Sequence, residues 1–418
     1  MIMLSPSQKR AEKAFFQFLD NNNENTLIIA GFAGSGKSYL IKHLYNAALS
    51  YFTMKKSVEP NFTALPIYFT ATTNKAAGVL QNFVNMPAQT IHSLLGLKVK
   101  NNFDTGKTTL EPTERTRPHK ALIFIDEASM IDKKLYAVIR EYTQDSKVVF
   151  IGDNYQLPPV FENGSIVFKN KNTVFLEEIQ RQVAHNPIIL LSQKYRNIID
   201  TGPPFTWPEI VPDNKHIFTV DGHDFEQIVR NCYSQKHNPD DYKILAYTNK
   251  KVIAYNKFVR QLYTNSNDFQ AGEYVMTNKP ILRGNTIIYP TDSVIQITKV
   301  EPTIVDNLPG FFISFKGIKN QFYPKNWAEA NALMKHYKKH YQWRDFFRIK
   351  EHYLDIRSLH ALTCHKAQGS TYREVFIDLN DIGTNNKYYE AARLVYVAIT
   401  RASDKVYLYG RLPDKWVG

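Results

Sequence analysis

The eight residues Gly31-Phe32-Ala33-Gly34-Ser35-Gly36-Lys37-Ser38 constrain the fold more than any other stretch of this 418-residue chain. They fit the pattern of a phosphate loop, whose glycine-rich backbone presents N–H groups to phosphates where a strand gives way to a helix. The context agrees. TLIIA at Thr26–Ala30 reads as a short buried strand, and Leu40, Ile41, Leu44 and Tyr45 then fall on one face of a helix. In such a loop Gly34, Ser35 and Gly36 cradle the phosphates, Lys37 reaches the β- and γ-phosphates, and the Ser38 hydroxyl binds Mg²⁺. A nucleotide-binding α/β protein is the direct expectation.

The rest of the chain extends that pattern. Ala11, Ala14, Phe15, Phe18 and Leu19 predict an opening helix that Asn21–Asn23 end. Ile67–Thr70, Ala121–Ile125 and Val148–Ile151 read as buried strands between helical stretches, which predicts a parallel sheet covered on both faces. Ile244–Tyr247, Val375–Ile377 and Val406–Leu408 suggest a second such region. Lys98–Phe103 and Lys107–Leu110 flank Asp104-Thr105-Gly106, the mark of an inserted β-hairpin. From about Gly272, short β-rich runs broken by Pro and Gly suggest a small β-barrel.

Leu122-Ile123-Phe124-Ile125-Asp126-Glu127 is an apolar strand ending in two acids. In a phosphate-loop ATPase the first acid, Asp126, holds Mg²⁺ and the second, Glu127, polarises the attacking water. Gln156 follows the tip of the Val148–Ile151 strand, where an amide can sense a γ-phosphate or that water. A hydrophobic share of 43% excludes disorder as the main state, and no apolar run approaches the ~18 residues of a membrane span. The opening is too short for a signal-peptide core, and two cysteines make neither a disulfide framework nor a zinc site. A cytoplasmic protein without a membrane partner is expected. The 52 Lys and Arg against 39 Asp and Glu give a net charge of +13, which favours polyanionic partners, nucleic acid first.

Read in order, these segments resemble a superfamily 1 helicase of the RecD-like branch, and within it the Dda-type helicases of phages. The likeness runs from Gln8 to Arg401. It includes Ala71-Thr72-Thr73-Asn74-Lys75-Ala76-Ala77 (motif Ia), Thr90-Ile91-His92-Ser93 (Ib), IDEASM (II), GDNYQLPPV (III) and Gln180-Arg181-Gln182 (IV). Leu362-Thr363-Cys364-His365-Lys366-Ala367-Gln368-Gly369-Ser370 and Val395-Tyr396-Val397-Ala398-Ile399-Thr400-Arg401-Ala402 resemble motifs V and VI. The resemblance implies two RecA-like domains that sandwich ATP. Arg181 and Arg401 would stabilise charge on the transferring phosphoryl group, Gln8 would read adenine, and Gly369 would line the nucleotide site. It also implies single-stranded DNA held by Thr73, His92, Thr363 and His365. Thr72 departs from the family by standing where proline is usual.

The implied segments are a first RecA-like domain of residues 1–93 and 119–183 and a hairpin pin of residues 94–118. A second domain comprises residues 184–271 and 352–418, with a β-barrel (SH3-like) and helical-arm insertion at 272–351. Phe103 would stack at the fork junction. One such stack is worth about 1–3 kcal/mol, comparable with melting a base-pair step of about 1.4 kcal/mol. Trp343, Phe346 and Phe347, in a basic stretch from Phe315 to Lys350, are expected to pack the arm, which in this family leans on the pin. The function so implied is an ATP- and Mg²⁺-dependent 5′-to-3′ DNA helicase, a monomer acting on single strands and forks in phage or bacterial replication, recombination or repair. Single-strand-binding or other replication proteins are its implied partners. RNA helicase action, ribonucleoprotein remodelling and nucleotide-gated strand binding without unwinding are the alternatives left open.

Overall fold

The strand Thr26–Gly31 is buried along its whole length, as are most residues of Leu122–Asp126 and Lys147–Gly152. Strands with both faces covered pair in parallel, and these form the middle of a six-stranded parallel sheet. Its order is Ala88–Thr90, Ile67–Ala71, Leu122–Asp126, Lys147–Gly152, Thr26–Gly31, Thr173–Leu176. The computed structural model describes residues 4–105, 108–112, 117–159, 162, 164–170, 172–179, 186–202, 205–234, 238–264, 266–284 and 286–414, with backbone alone at 98–101 and 108–112. The opening helix Pro6–Asp20 and the phosphate-loop helix Lys37–Val58 cover one face through Phe15, Phe18, Leu40, Ile41 and Leu44. Ile131, Leu135 and Ile139 help cover the other.

A second parallel sheet has the order Ala361–Thr363, Tyr242–Ala246, Tyr372–Asp378, Ala402–Tyr409, Ile217–Val220. The helix Tyr388–Ile399 is buried on nearly all sides, packed between this sheet and the helix Pro187–Thr201. Leu157, just past the first sheet, belongs to the same core, so the motif III segment plugs into the second sheet's layer. The fold is therefore α/β with two RecA-like sheets.

Two antiparallel insertions complete it. The hairpin pairs Leu97–Asn101 with Thr108–Pro112, and Asn101 opposes Thr108. The larger insertion orders Ile318–Pro324, Leu308–Phe315, Val294–Val305, Tyr274–Thr277 and Ile356–Arg357, the last a two-residue strand that follows the arm. An irregular register between Ile297 and Lys299 bends the long strand Val294–Val305, as a bulge does. Helices Trp327–Lys339 and Trp343–His352 form the arm. Among the described residues no helix is long and apolar enough to cross a membrane.

Candidate active site and nucleic-acid interface

Gly36 stands at φ +81° as the residue before the helix Lys37–Val58, a backbone state that costs a side chain but not glycine. The loop it closes is folded on itself. Lys37 Nζ donates to the carbonyls of Gly31 at 2.7 Å and Phe32 at 3.1 Å. Gln8 is fully buried beside it, with Nε2 donating to the Ser35 carbonyl at 3.2 Å and Oε1 accepting from Ser5 N at 3.1 Å. The second bond is half of a capping box on the opening helix. Gln8 thus anchors that helix to the phosphate loop, and reading adenine would require exchanging one of these bonds.

Asp126 ends its strand, and Glu127 follows at φ +55°, turning its side chain into the cleft. Burial pushes the Asp126 carboxyl above the usual carboxylate range. Burial, then the neighbouring Asp126, raises Glu127 to about 7, against the pull of Arg401 and Lys37. Glu127 Oε2 is buried with no hydrogen-bond partner among the described residues. Two adjacent carboxyl groups, one with an oxygen that has no partner among the described residues, fit a hard divalent cation taking oxygen ligands, and Ser38 lies in the first turn of the phosphate-loop helix.

Residues of the second sheet face these groups. Gly369 lies at φ +69°, and a Cβ there would stand 3.7 Å from Glu127 Oε1. Gln368 Nε2 donates to Gln156 Oε1 at 3.2 Å and to the Leu157 carbonyl at 3.3 Å. Arg401 is almost fully buried. Its Nε, Nη1 and Nη2 donate to Val397 O at 3.2 Å, Ser370 O at 3.1 Å and Thr400 Oγ1 at 3.1 Å. Arg181 lies outside the described residues.

Three further side chains bridge the cleft that motif reading left without a role. Tyr396 OH accepts from Ala33 N of the phosphate loop at 2.9 Å and donates to Asp153 Oδ2 at 2.5 Å. Arg393 Nη1 donates to the carbonyls of Asn154 at 2.6 Å and Gln156 at 2.8 Å. The Arg196 guanidinium sits 3.9 Å from the centre of the Phe32 ring. Tyr396 and Gln368 lie inside quoted motifs, so proximity to Arg401 and Gly369 was an available signal; Arg196 had none. Replacing Tyr396 by Phe keeps the ring and strips one partner from both the buried Asp153 and the Ala33 N–H. The expected cost is ~1–3 kcal/mol of stability with about a ten-fold fall in kcat, KM for ATP holding. Urea melts beside steady-state ATPase kinetics check this; an unchanged kcat would confine the hydroxyl to packing.

The residues proposed for strand contact share one device, a threonine that caps a helical turn at the end of a parallel strand. Thr73 Oγ1 accepts from Ala76 N at 3.2 Å, and Thr90 Oγ1 from Ser93 N at 3.1 Å in the turn that carries His92. Thr363 Oγ1 accepts from Lys366 N at 3.3 Å, in the turn that carries His365, and Thr248 Oγ1 from Lys251 N at 3.3 Å. Ala71 pairs with Thr90, and Ala246 with Thr363, so each sheet ends its outer two strands in adjacent capped turns. Helix-start N–H groups at strand ends are of the kind that bind phosphate, and the threonine takes one of them in each turn. Burial holds His92 and His365 below the usual histidine range, leaving both imidazoles uncharged at neutral pH. Thr72 Oγ1 donates to the Glu127 carbonyl at 3.5 Å, tying motif Ia to motif II. Phe103 is 48% exposed at the hairpin tip, where Asn102 Oδ1 accepts from the N–H groups of Asp104 and Thr105 at 2.9 and 2.8 Å. Of the three arm rings expected to pack, Phe347 is fully buried, and Trp343 and Phe346 are half-buried.

Comparison with known proteins follows this division. Residues 16–162 match the model of an AAA domain, and residues 358–409 that of a UvrD-like helicase C-terminal domain. An uncharacterised protein of Acanthamoeba polyphaga mimivirus is 23% identical, with 97% of this chain and 99% of its own length aligned. The ATP-dependent DNA helicase Dda of enterobacteria phage T4 is 23% identical, with 97% of this chain and 98% of its own length aligned. A solved Pif1 structure, from work on unwinding at forked double-stranded DNA by two coordinating Pif1 helicases, covers 100% of this chain and 94% of its own. Its TM-score is 0.53 at 16% identity, a likeness of fold. With a segment matching an AAA domain and another matching a UvrD-like helicase C-terminal domain meeting across one cleft, the chain is built like an ATP-dependent helicase and is similar over nearly its whole length to Dda.

Proposed function

We propose that this protein is a DNA helicase that hydrolyses ATP with Mg²⁺ to move 5′ to 3′ along a single strand and part a duplex ahead of it. The observation that carries the reading is the pairing of the acids on one sheet with motif V and VI residues of the other. Gly369 borders Glu127, and Gln368 bonds Gln156. Hydrolysis and the relative placement of the two sheets then depend on the same few contacts, as a translocating motor requires. Ser38 and Asp126 would hold Mg²⁺, which supplies positive charge to the phosphates. Glu127 holds the proton-accepting oxygen for the attacking water, and Lys37 and Arg401 meet the charge that develops. Lys37 must leave the Gly31 and Phe32 carbonyls to do so.

The capped turns at the outer strands of both sheets support a strand track across the two, with Thr73, His92, Thr363 and His365 along it. Phe103, exposed on the hairpin, would split the junction. The LPPV ending of motif III and the β-rich insertion support the 5′-to-3′ direction. The segments 1–93 with 119–183, 94–118, 184–271 with 352–418, and 272–351 are the working units of a monomeric motor. It would serve replication, recombination or repair, beside single-strand-binding protein.

The test is strand separation of a labelled DNA duplex bearing either a 5′ or a 3′ single-stranded tail, with ATP and Mg²⁺, beside a Lys37→Ala control. Unwinding from the 5′ tail alone, lost in the control, is expected. Unwinding from the 3′ tail alone would keep the motor and overturn its direction. Hydrolysis without unwinding from either tail would overturn the DNA-helicase reading in favour of an RNA substrate.

A further inference from the structure

The arm's two helices meet at a turn whose chemistry the strand track and the ATP site do not use. The helix Trp327–Lys339 ends with Tyr341 N donating to Lys338 O at 3.3 Å and Gln342 N to Tyr337 O at 2.9 Å, with Tyr341 at φ +57°. That pattern is a Schellman motif, and the left-handed position in it is the one glycine normally fills because any side chain is crowded there. Here it holds a tyrosine that is 78% exposed.

 Val58 at 75% and Ile304 at 70% are the next most exposed large apolar side chains among the described residues.

Tyr341 is also the first ring of a continuous ladder. It meets Trp343 at 6.3 Å and 76°, Trp343 meets Phe346 at 5.8 Å and 88°, and Phe346 meets Phe347 at 5.1 Å and 77°. Phe347 then meets Phe103, the tip of the hairpin, at 5.4 Å and 82°. Every step is edge-to-face, the favoured geometry for paired rings, so the turn is braced against the pin. Around Tyr341 stand Lys338, Lys339 and Arg344, all exposed and none in an ion pair among the described residues. The nearby acids are engaged elsewhere, Asp306 and Asp345 both by Arg348. Arg344 precedes Phe347 by three positions, which places it on the pin-facing side of its helix.

We propose that this turn binds the displaced single strand of the fork, with Lys338, Lys339 and Arg344 on its phosphates and Tyr341 against an unpaired base. Cations beside an exposed ring are the chemistry of single-strand binding, since a base that has left its duplex offers its whole face to such a ring. The tracking strand is assigned to the capped turns of the two sheets, which leaves the displaced strand as the one that passes the pin's brace. The proposal rests on the fork-splitting reading above.

Binding is measured without ATP by fluorescence anisotropy over a range of salt, for single-stranded DNA, a duplex with a 5′ tail only, and a fork with both tails. The unmodified protein is expected to prefer the two-tailed fork. In the triple variant Lys338→Ala, Lys339→Ala, Arg344→Ala that preference should vanish and the slope of log affinity against log salt on the fork should fall by about 2. Affinities for the other two DNAs should hold. Tyr341→Gly should lose about ten-fold on the two-tailed fork alone. Because glycine suits the left-handed position, that variant should melt no lower than the parent, which separates loss of contact from loss of fold.

Equal affinity of the unmodified protein for one-tailed and two-tailed DNA overturns the proposal. So does an equal loss by the variants on the one-tailed duplex, which would put the contact on paired DNA, or on single-stranded DNA, which would put it on the main track. Failure of the motor reading shows separately, as absence of DNA-stimulated ATP hydrolysis in the unmodified protein.

Discussion

Glu127→Gln is expected to cut ATP turnover about a thousand-fold and, at pH 8, to make the nucleotide-free protein more stable. Both effects come from the same carboxyl group. It is the residue proposed to take a proton from the attacking water, and general-base catalysis is worth about 10²–10⁴ in rate. It also lies next to Asp126, with one buried oxygen unpartnered among the described residues, and its folded pKa is raised from 4.5 to about 7. Between those two values the folded protein binds more protons than the unfolded chain, so stability falls as pH rises through that window. The cost is complete above pH 7 and absent below about pH 4.5. Glutamine carries no charge at any pH and removes the cost. The gain should be ~1–3 kcal/mol at pH 8 and nil at pH 4, in Mg²⁺-free buffer, because a bound cation would lower the same pKa. Single-turnover hydrolysis and thermal melts at the two pH values check it. A fall in turnover of less than ten-fold would remove Glu127 from the base's role, and a variant less stable at pH 8 would mean the carboxylate has a strong partner.

The parts of this molecule legible in its sequence are those encoded over a few neighbouring residues. The phosphate loop, the strand ending in Asp126-Glu127 and the two-acid tip follow from runs of apolar residues punctuated by glycine or charge. So does the hairpin, because its turn signal sits between two short runs, and strand register follows from the turn. Contacts across the cleft are another matter. Tyr396 and Asp153 are 243 positions apart, and Gln368 and Gln156 are 212 apart. No local pattern tells that the tyrosine of motif VI crosses to the phosphate loop. The resemblance brought the right segments together without saying which atoms meet.

Capping was hidden for a different reason. Gln8, Thr73 and Thr363 were read for what they would touch outside the protein, yet each also closes a helix. A threonine hydroxyl that accepts from a backbone N–H still has its proton to donate, so Thr73 and Thr363 can cap and hold a phosphate oxygen together. Gln8 has less freedom, since both ends of its amide are occupied. The two-residue strand Ile356–Arg357 carried too little pattern to be seen, and it returns the chain to the antiparallel sheet after the arm.

Arg401→Lys is expected to lower kcat for ATP by about a thousand-fold, with KM for ATP and affinity for single-stranded DNA within a few-fold of the parent. A guanidinium has five N–H donors, and three nitrogen atoms of Arg401 are already tied to Val397, Ser370 and Thr400. Those bonds fix the planar group in the cleft, where its charge is felt by Glu127, and leave N–H donors to spare. A lysine keeps the charge but offers one nitrogen on a flexible stem. If the ammonium bonds the Ser370 carbonyl it is held back from a transferring phosphoryl group, and if it reaches forward it loses its anchor. An arginine that meets transition-state charge in phosphoryl transfer is worth 10³–10⁵ in rate, whereas one that only braces motif V against motif VI would show as lost stability with kcat intact. Steady-state kinetics beside a melting curve separate the two. A lysine variant turning over within ten-fold of the parent would leave Arg401 a brace, and would move the transition-state role to Lys37.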